Sequence, residues 1–277
     1  MSAVLRKIIQ ALSVFALAAL TTISARAEQV YSFGVVPQFL PNKIIEIWEP
    51  VLTEVSRRSG VELQLAGAQD IPTFEETFGI GSYDFAFMNP YHFTTAQSLK
   101  GYIALVNDNG RKLRGVVVVA KNSPIQNLSD LNGEKVSFPS PNALGASLLV
   151  RAELEQIHNS FVKPVYRETH TFSYLAALVG ETAAAGGVLS TLKAQKKQVQ
   201  DGLRVIYETT GVPPHPIAAH PRVPEDVRER VKQAFLGLGQ TEDGKAMLAK
   251  IPMREIGLVE SETFDGLRSM NLDDYAE

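Results

Sequence analysis

Residues 136–157, VSFPSPNALGASLLVRAELEQI, change their hydrophobic period halfway along. Val136 to Phe138 is a β-type run, Pro139 and Pro141 break it, and Ala146, Leu149, Val150, Leu154 and Ile157 resume on one helical face. The reading is strand, tight loop, helix. Asn142 suits the N-cap, which would leave the amides of Ala143, Leu144 and Gly145 unpaired at the positive end of the helix dipole. Such a terminus attracts small anions. An ordinary strand-to-helix loop of an α/β domain would read the same way, so the choice falls to the flanking sequence.

Downstream, the pattern predicts a strand near Lys163 to Arg167, a helix from Thr171 to Val179, a small-residue strand Thr182 to Ala185, a helix after Gly187 and a strand Leu203 to Tyr207. Upstream, Val116 to Ala120 is a β-branched run of the kind covered on both faces. Before it, strands are expected at Val30 to Val36, Val61 to Leu65, Phe85 to Met88 and Tyr102 to Val106. A helical stripe of Ile44, Ile45, Trp48, Val51, Leu52 and Val55 lies between the first two, with Pro50 expected to kink or restart it and Gly60 to end it. Thr73-Phe74-Glu75-Glu76 reads as a capping box, and Asn89-Pro90-Tyr91 turns directly from strand into helix. Alternating strands and helices predict an α/β fold with mostly parallel sheets. The proline-rich stretch Thr209 to Pro224 encloses the strand-like Ile217-Ala218-Ala219 and reads as a return crossing, followed by a helix that begins at Pro224. Two lobes are therefore expected, one from residues 28–113 and 216–277, the other from 114–215.

A chain of 277 residues, 45% apolar and 21% charged, can bury a core of that size. Its net charge of -3 offers no basic field for nucleic acid. Arg6 and Lys7, the apolar run Ile8 to Leu20 and the Ala25-Arg26-Ala27 pattern read as a secretory signal peptide, with a membrane anchor as the alternative. Cleavage after Ala27 would release the chain, starting at Glu28, into the periplasm. With no cysteine there is no disulfide, thiolate metal site or lipid-bearing cysteine. No nucleophile elbow, phosphate-binding loop, zinc-protease helix or dinucleotide fingerprint occurs, so an enzyme is not expected, nor a metal or cofactor. His215 and His220 read as two surface histidines of the proline-rich connection. His170, with Ser173 and Tyr174 in the next turn, lies between a strand end and a helix start, where α/β sheets gather ligand groups. Gly186-Gly187 allows close backbone approach by a ligand or a neighbouring helix.

Taken together, SYDFAFMNPYHF (82–93), GVVVVAKNSPIQNLSDLNGEKVSFPSPNALGASLL (115–149) and ETHTFSYLAALVGETAAAGG (168–187) resemble the periplasmic binding proteins of phosphonate, phosphite and phosphate ABC transporters. The resemblance covers nearly the whole chain after residue 27. It implies two lobes of the type II-like periplasmic-binding-protein fold, joined by two crossing segments, that close on a small oxyanion and deliver it to a membrane permease. A soluble receptor that presents its ligand to a membrane sensor kinase is the alternative, and a monomer is expected. His170 matches the family histidine. Where the family places a hydroxyl cluster this chain has Ala143, Leu144 and Gly145. Met88 and Ile71 stand in place of tyrosines, and Ala184, Ala185 or Gly186 stands where an acidic contact is expected. The expected ligand set is thus Asn89 and Tyr91 from the first lobe, with Asn142, the three following amides, His170 and Ser173 from the second.

Overall fold

The structure, a computed structural model, describes residues 29–251, 253–259 and 262–276. The signal-peptide reading of residues 1–27 lies outside them.

β-branched and aromatic runs pair into two sheets. The first takes Val30–Val35 (β1), Glu62–Ala66 (β2), Phe85–Phe87 (β3) and Ile103–Asp108 (β4) from the early chain, then Ile217–Ala219 (β10) and Ile256–Leu258 (β11) from its end. Its strand order is β11-β4-β10-β3-β1-β2. The second takes Gly115–Ala120 (β5), Lys135–Phe138 (β6), Lys163–Tyr166 (β7), Ala184–Val188 (β8) and Leu203–Glu208 (β9), in the order β7-β6-β8-β5-β9. Both sheets are mixed. Strands joined through helices pair in parallel, β1 with β2 and β3, and β6 with β7 and β8. Strands that follow or precede a crossing, β5 and β10, run antiparallel to their neighbours. The crossings themselves are tied where Leu113 and Val212 exchange backbone hydrogen bonds of 2.8 and 3.0 Å.

The stripe read from sequence forms the helix Pro41–Ser59, which buries Ile44, Ile47, Trp48, Val51, Leu52 and Val55. Pro50 sits within it without ending it, and Gly60 closes it in the left-handed region at φ 63°. Trp48 packs 4.9 Å from the Phe87 ring and 5.5 Å from Phe33, the centre of the first core. The next helix, Ile71–Gly79, starts earlier than the expected capping box: Asp70 is the N-cap, its carboxylate accepting from the Thr73 amide at 2.8 Å. The second sheet is covered on one face by Tyr174 and Leu192 and on the other by Leu131 and Leu154. Val116, Val117, Val118 and Val119 of β5 are all fully buried between these layers, as a strand covered on both faces requires. Leu144, Leu148, Leu149 and Val188 from the second sheet's half join the core of the first, so the two halves meet in direct apolar contact.

Candidate functional site

Between the halves lies a small cavity. Val36, Gln38, Ile71, Asn89 and His215 line it from one side, Ala143 to Ala146, His170 and Val188 from the other. Its volume of about 10 Å³ is room for about one water. Anything larger than water fits there only if the halves part.

The wall at residues 143–146 differs from its expected form by one residue. Ala143, rather than Asn142, is the N-cap, and the helix opens with a π-turn, Leu144–Leu148, before the α-helix Leu149–Gln156. The wider turn lets one carbonyl, that of Ala143, accept from both Ser147 (2.7 Å) and Leu148 (3.3 Å). Ala143's own amide faces the Ser140 carbonyl at 3.4 Å, so it is not the free donor expected. The amides of Leu144, Gly145 and Ala146 find no acceptor among the described residues. All three residues line the cavity, and π-turns are frequent at functional sites. Gly145 is required by space: a Cβ there would lie 2.7 Å from Val188 Cγ1.

Asn142, expected to cap this helix, instead ties the halves together. Its Nδ2 donates to Glu75 Oε2 at 3.1 Å and its carbonyl accepts from Asn89 Nδ2 at 3.2 Å. Asn89 caps its own helix, Pro90–Lys100, through Oδ1 and the His92 amide at 2.8 Å, and its Nδ2, besides the Asn142 carbonyl, lies 3.1 Å from His92 Nε2. Glu75 Oε1 also lies 2.8 Å from His92 Nε2.

His170 is the first residue of the helix His170–Leu178, and Thr169 caps it. The preceding Glu168 is held at φ 65°, a left-handed conformation that residues other than glycine seldom adopt. His170 Nδ1 meets Thr191 Oγ1 at 3.1 Å, whose own neighbours are the Val188 carbonyl and the Tyr174 hydroxyl. This fixes the ring and leaves Nε2 for the cavity. Burial lowers the His170 pKa to about 3, so the ring is neutral.

Two expected residues stand elsewhere. Ser173 is fully buried beneath β8 and donates to the Gly186 carbonyl at 3.3 Å. The Tyr91 hydroxyl donates to Asp273 Oδ1 at 2.9 Å, away from the cavity lining, and burial followed by that bond pushes its pKa up to about 12. The sequence reading missed Gln38 and His215. His215, expected at the surface, is buried against the Phe87 ring at 5.1 Å and touches Gln38 Nε2 at 3.4 Å. Burial, then Arg111, holds its pKa well below 6.5. The Gly186-Gly187 pair answers to packing: added Cβ atoms would lie 2.2 Å from the Ala146 carbonyl oxygen and 2.1 Å from the Tyr174 hydroxyl. Among the described residues no group of three or more His, Asp or Glu side chains is placed to hold a metal, and no helix is long and apolar enough to cross a membrane.

Two α/β lobes hinged at paired crossings, with a helix start turned into the cleft between them, define a two-lobed solute-binding protein of the type II periplasmic class. The chain belongs to the family described as ABC transporter, phosphonate, periplasmic substrate-binding protein, which matches residues 33–264. It is 22% identical over 264 residues to the phosphonates-binding periplasmic protein of Escherichia coli (strain K12), covering 88% of this chain and 78% of that one. The binding component of a Pseudomonas aeruginosa phosphonate ABC transporter superposes with TM-score 0.80 at 15% identity, over 88% of this chain and 85% of the other. A Prochlorococcus marinus protein solved in complex with methylphosphonate gives 0.79 at 15% identity, over 89% and 98%. At these identities the superpositions show the fold. The family is a transporter's substrate-binding component, not an enzyme, and its members are periplasmic.

Proposed function

We propose that this chain captures a small oxyanion of phosphonate type, with phosphite and phosphate as close competitors, and delivers it to an inner-membrane ABC permease. The observation that carries the reading is the convergence on one cavity of three acceptor-less amides, at Leu144, Gly145 and Ala146, with neutral His170. Backbone donors need no particular side chain, so the missing hydroxyl cluster leaves an anion site intact in kind and weaker in strength, by roughly 1 kcal/mol for each lost hydrogen bond. The lobes are taken as residues 28–113 with 216–277, and 114–215. The chain acts as a monomer after cleavage behind Ala27.

A thermal-shift series with methylphosphonate, phosphite, phosphate, sulfate and uncharged solutes such as sugars tests it. A ligand at about a hundred times its dissociation constant stabilises by roughly 2.7 kcal/mol. A shift with methylphosphonate supports the reading; stabilisation by uncharged solutes alone rejects it.

A further inference from the structure

Behind the cleft, on the side of the crossings, lies a second and far larger chamber of about 750 Å³, the size of a small-molecule site. Seven of its 21 lining side chains are Lys or Arg and one is Glu. The whole chain is net acidic, at -3, so this concentration is not a reflection of composition. Some of the cations are already engaged: Lys43 pairs with Glu46 at 2.7 Å, Arg111 with Asp108 at 2.8 Å, and Arg114 donates to the Thr209 carbonyl at 2.9 Å. Lys112, Lys193, Lys250 and Arg254 have no acidic partner among the described residues. They come from both lobes and from the crossing between them. Burial lowers the Arg111 pKa, Asp108 opposes this, and the nearby Arg254 charge adds to the lowering, which marks the crowding of like charge there. A concave wall with an excess of one sign focuses its field on whatever occupies it.

The chamber and the cleft share a wall made of Gln38, Val188 and His215. The Gln38 to His215 contact at 3.4 Å is the partition, and both side chains are neutral or uncharged there. A head group held on the Leu144 and Gly145 amides would direct its substituent past this partition into the cationic chamber. Resting on the anion site proposed above, we infer that the ligand of this protein carries a second anionic group, and that the basic chamber selects phosphonates with an acidic tail over those with an apolar or cationic one.

Calorimetry on the mature protein with three probes sharing one head group decides this: methylphosphonate, phosphonoacetate and 2-aminoethylphosphonate. Phosphonoacetate is expected to bind about tenfold tighter than methylphosphonate, and 2-aminoethylphosphonate weaker than both, with the preference shrinking as salt rises. In the triple variant Lys193→Ala, Lys250→Ala, Arg254→Ala, all exposed positions, the ratio of phosphonoacetate to methylphosphonate affinity should fall to within about twofold. Methylphosphonate binding with no preference for phosphonoacetate, or a preference for the amine, overturns the chamber's role and leaves the anion site standing. A ratio unchanged in the triple variant overturns it as well. Failure of all three probes to bind removes the anion site and this inference with it.

Discussion

His170 and His215 are imidazoles that folding takes out of water, and each is neutral in the folded chain. An unfolded histidine takes its proton near pH 6.5, whereas folded His170 does so only near pH 3. The unfolded state therefore binds more protons throughout that window, so stability is complete above 6.5 and declines as the pH falls toward 3. The limiting slope is about 1.4 kcal/mol per pH unit for each such group. Urea denaturation between about pH 6.5 and 5.5, a window where most carboxylates stay ionised, should show this loss in the wild type. His170→Asn should reduce that loss. An unchanged slope in His170→Asn would mean that some other group carries the acid sensitivity. The Leu144 and Gly145 amides have no such side-chain handle, which is why residue-level substitution probes the histidine half of the site and not the backbone half.

At the scale of elements, β8 is the strand whose composition is most tightly set by its neighbours. Gly187 faces the Tyr174 ring, whose hydroxyl bonds to both the amide (3.0 Å) and the carbonyl (2.9 Å) of Val188 and so ties the helix His170–Leu178 to the strand end. Gly187→Ala should cost about 1–3 kcal/mol by overpacking. Gly79→Ala, at the end of the helix Ile71–Gly79 with nothing within 4 Å of the new Cβ, should stay within about 1 kcal/mol of wild type. Equal urea midpoints for the two variants would contradict this packing account. The same contrast explains what was legible in sequence. Long periodic segments such as the stripe Ile44 to Val55 announce a face because many residues must agree on it. Helix starts are set by single hydrogen bonds, and these moved: Asp70 took the cap expected near Thr73, and the π-turn at Leu144 displaced the cap expected at Asn142. The Gly186-Gly187 signal was visible, but only the position of the Tyr174 ring decides between helix and ligand. His215 lies two residues before β10, outside any periodic element, so nothing local reveals that it stacks on Phe87, distant in the chain. The three-residue β11 is too short to carry a period at all.

For the whole molecule, the lobes meet through the apolar contact around Leu144 and through two sets of polar contacts. The first is the pair of bonds that Asn142 makes beside the cavity, to Glu75 and from Asn89. The second is the C-terminal segment. Leu272 is buried, and Met270 and Tyr275 pack on the core that the two halves share, while Tyr91 of the first lobe holds Asp273. From the second lobe, Arg151 Nη2 donates to the Tyr275 carbonyl and, at 3.0 Å, to that of Pro141, with its guanidinium 6.0 Å from the Tyr275 ring centre. Gln156 Nε2 reaches the Tyr275 hydroxyl at 3.4 Å. Because Arg151 stands on the helix that follows the π-turn, a segment anchored on the first lobe by Tyr91 grips the helix whose start lines the cavity from the second. Arg151→Ala removes a charged hydrogen bond and a ring contact across the lobes, together worth roughly 1–2 kcal/mol. The open form should then gain about 5- to 30-fold in population relative to the closed one. Small-angle scattering without ligand should report a larger radius of gyration, and stopped-flow release of methylphosphonate should quicken by a similar factor. A variant with lowered melting temperature but wild-type scattering and release would show that Arg151 stabilises the second lobe alone, and closure would then rest on the Glu75 to Asn142 bond and the apolar contact around Leu144.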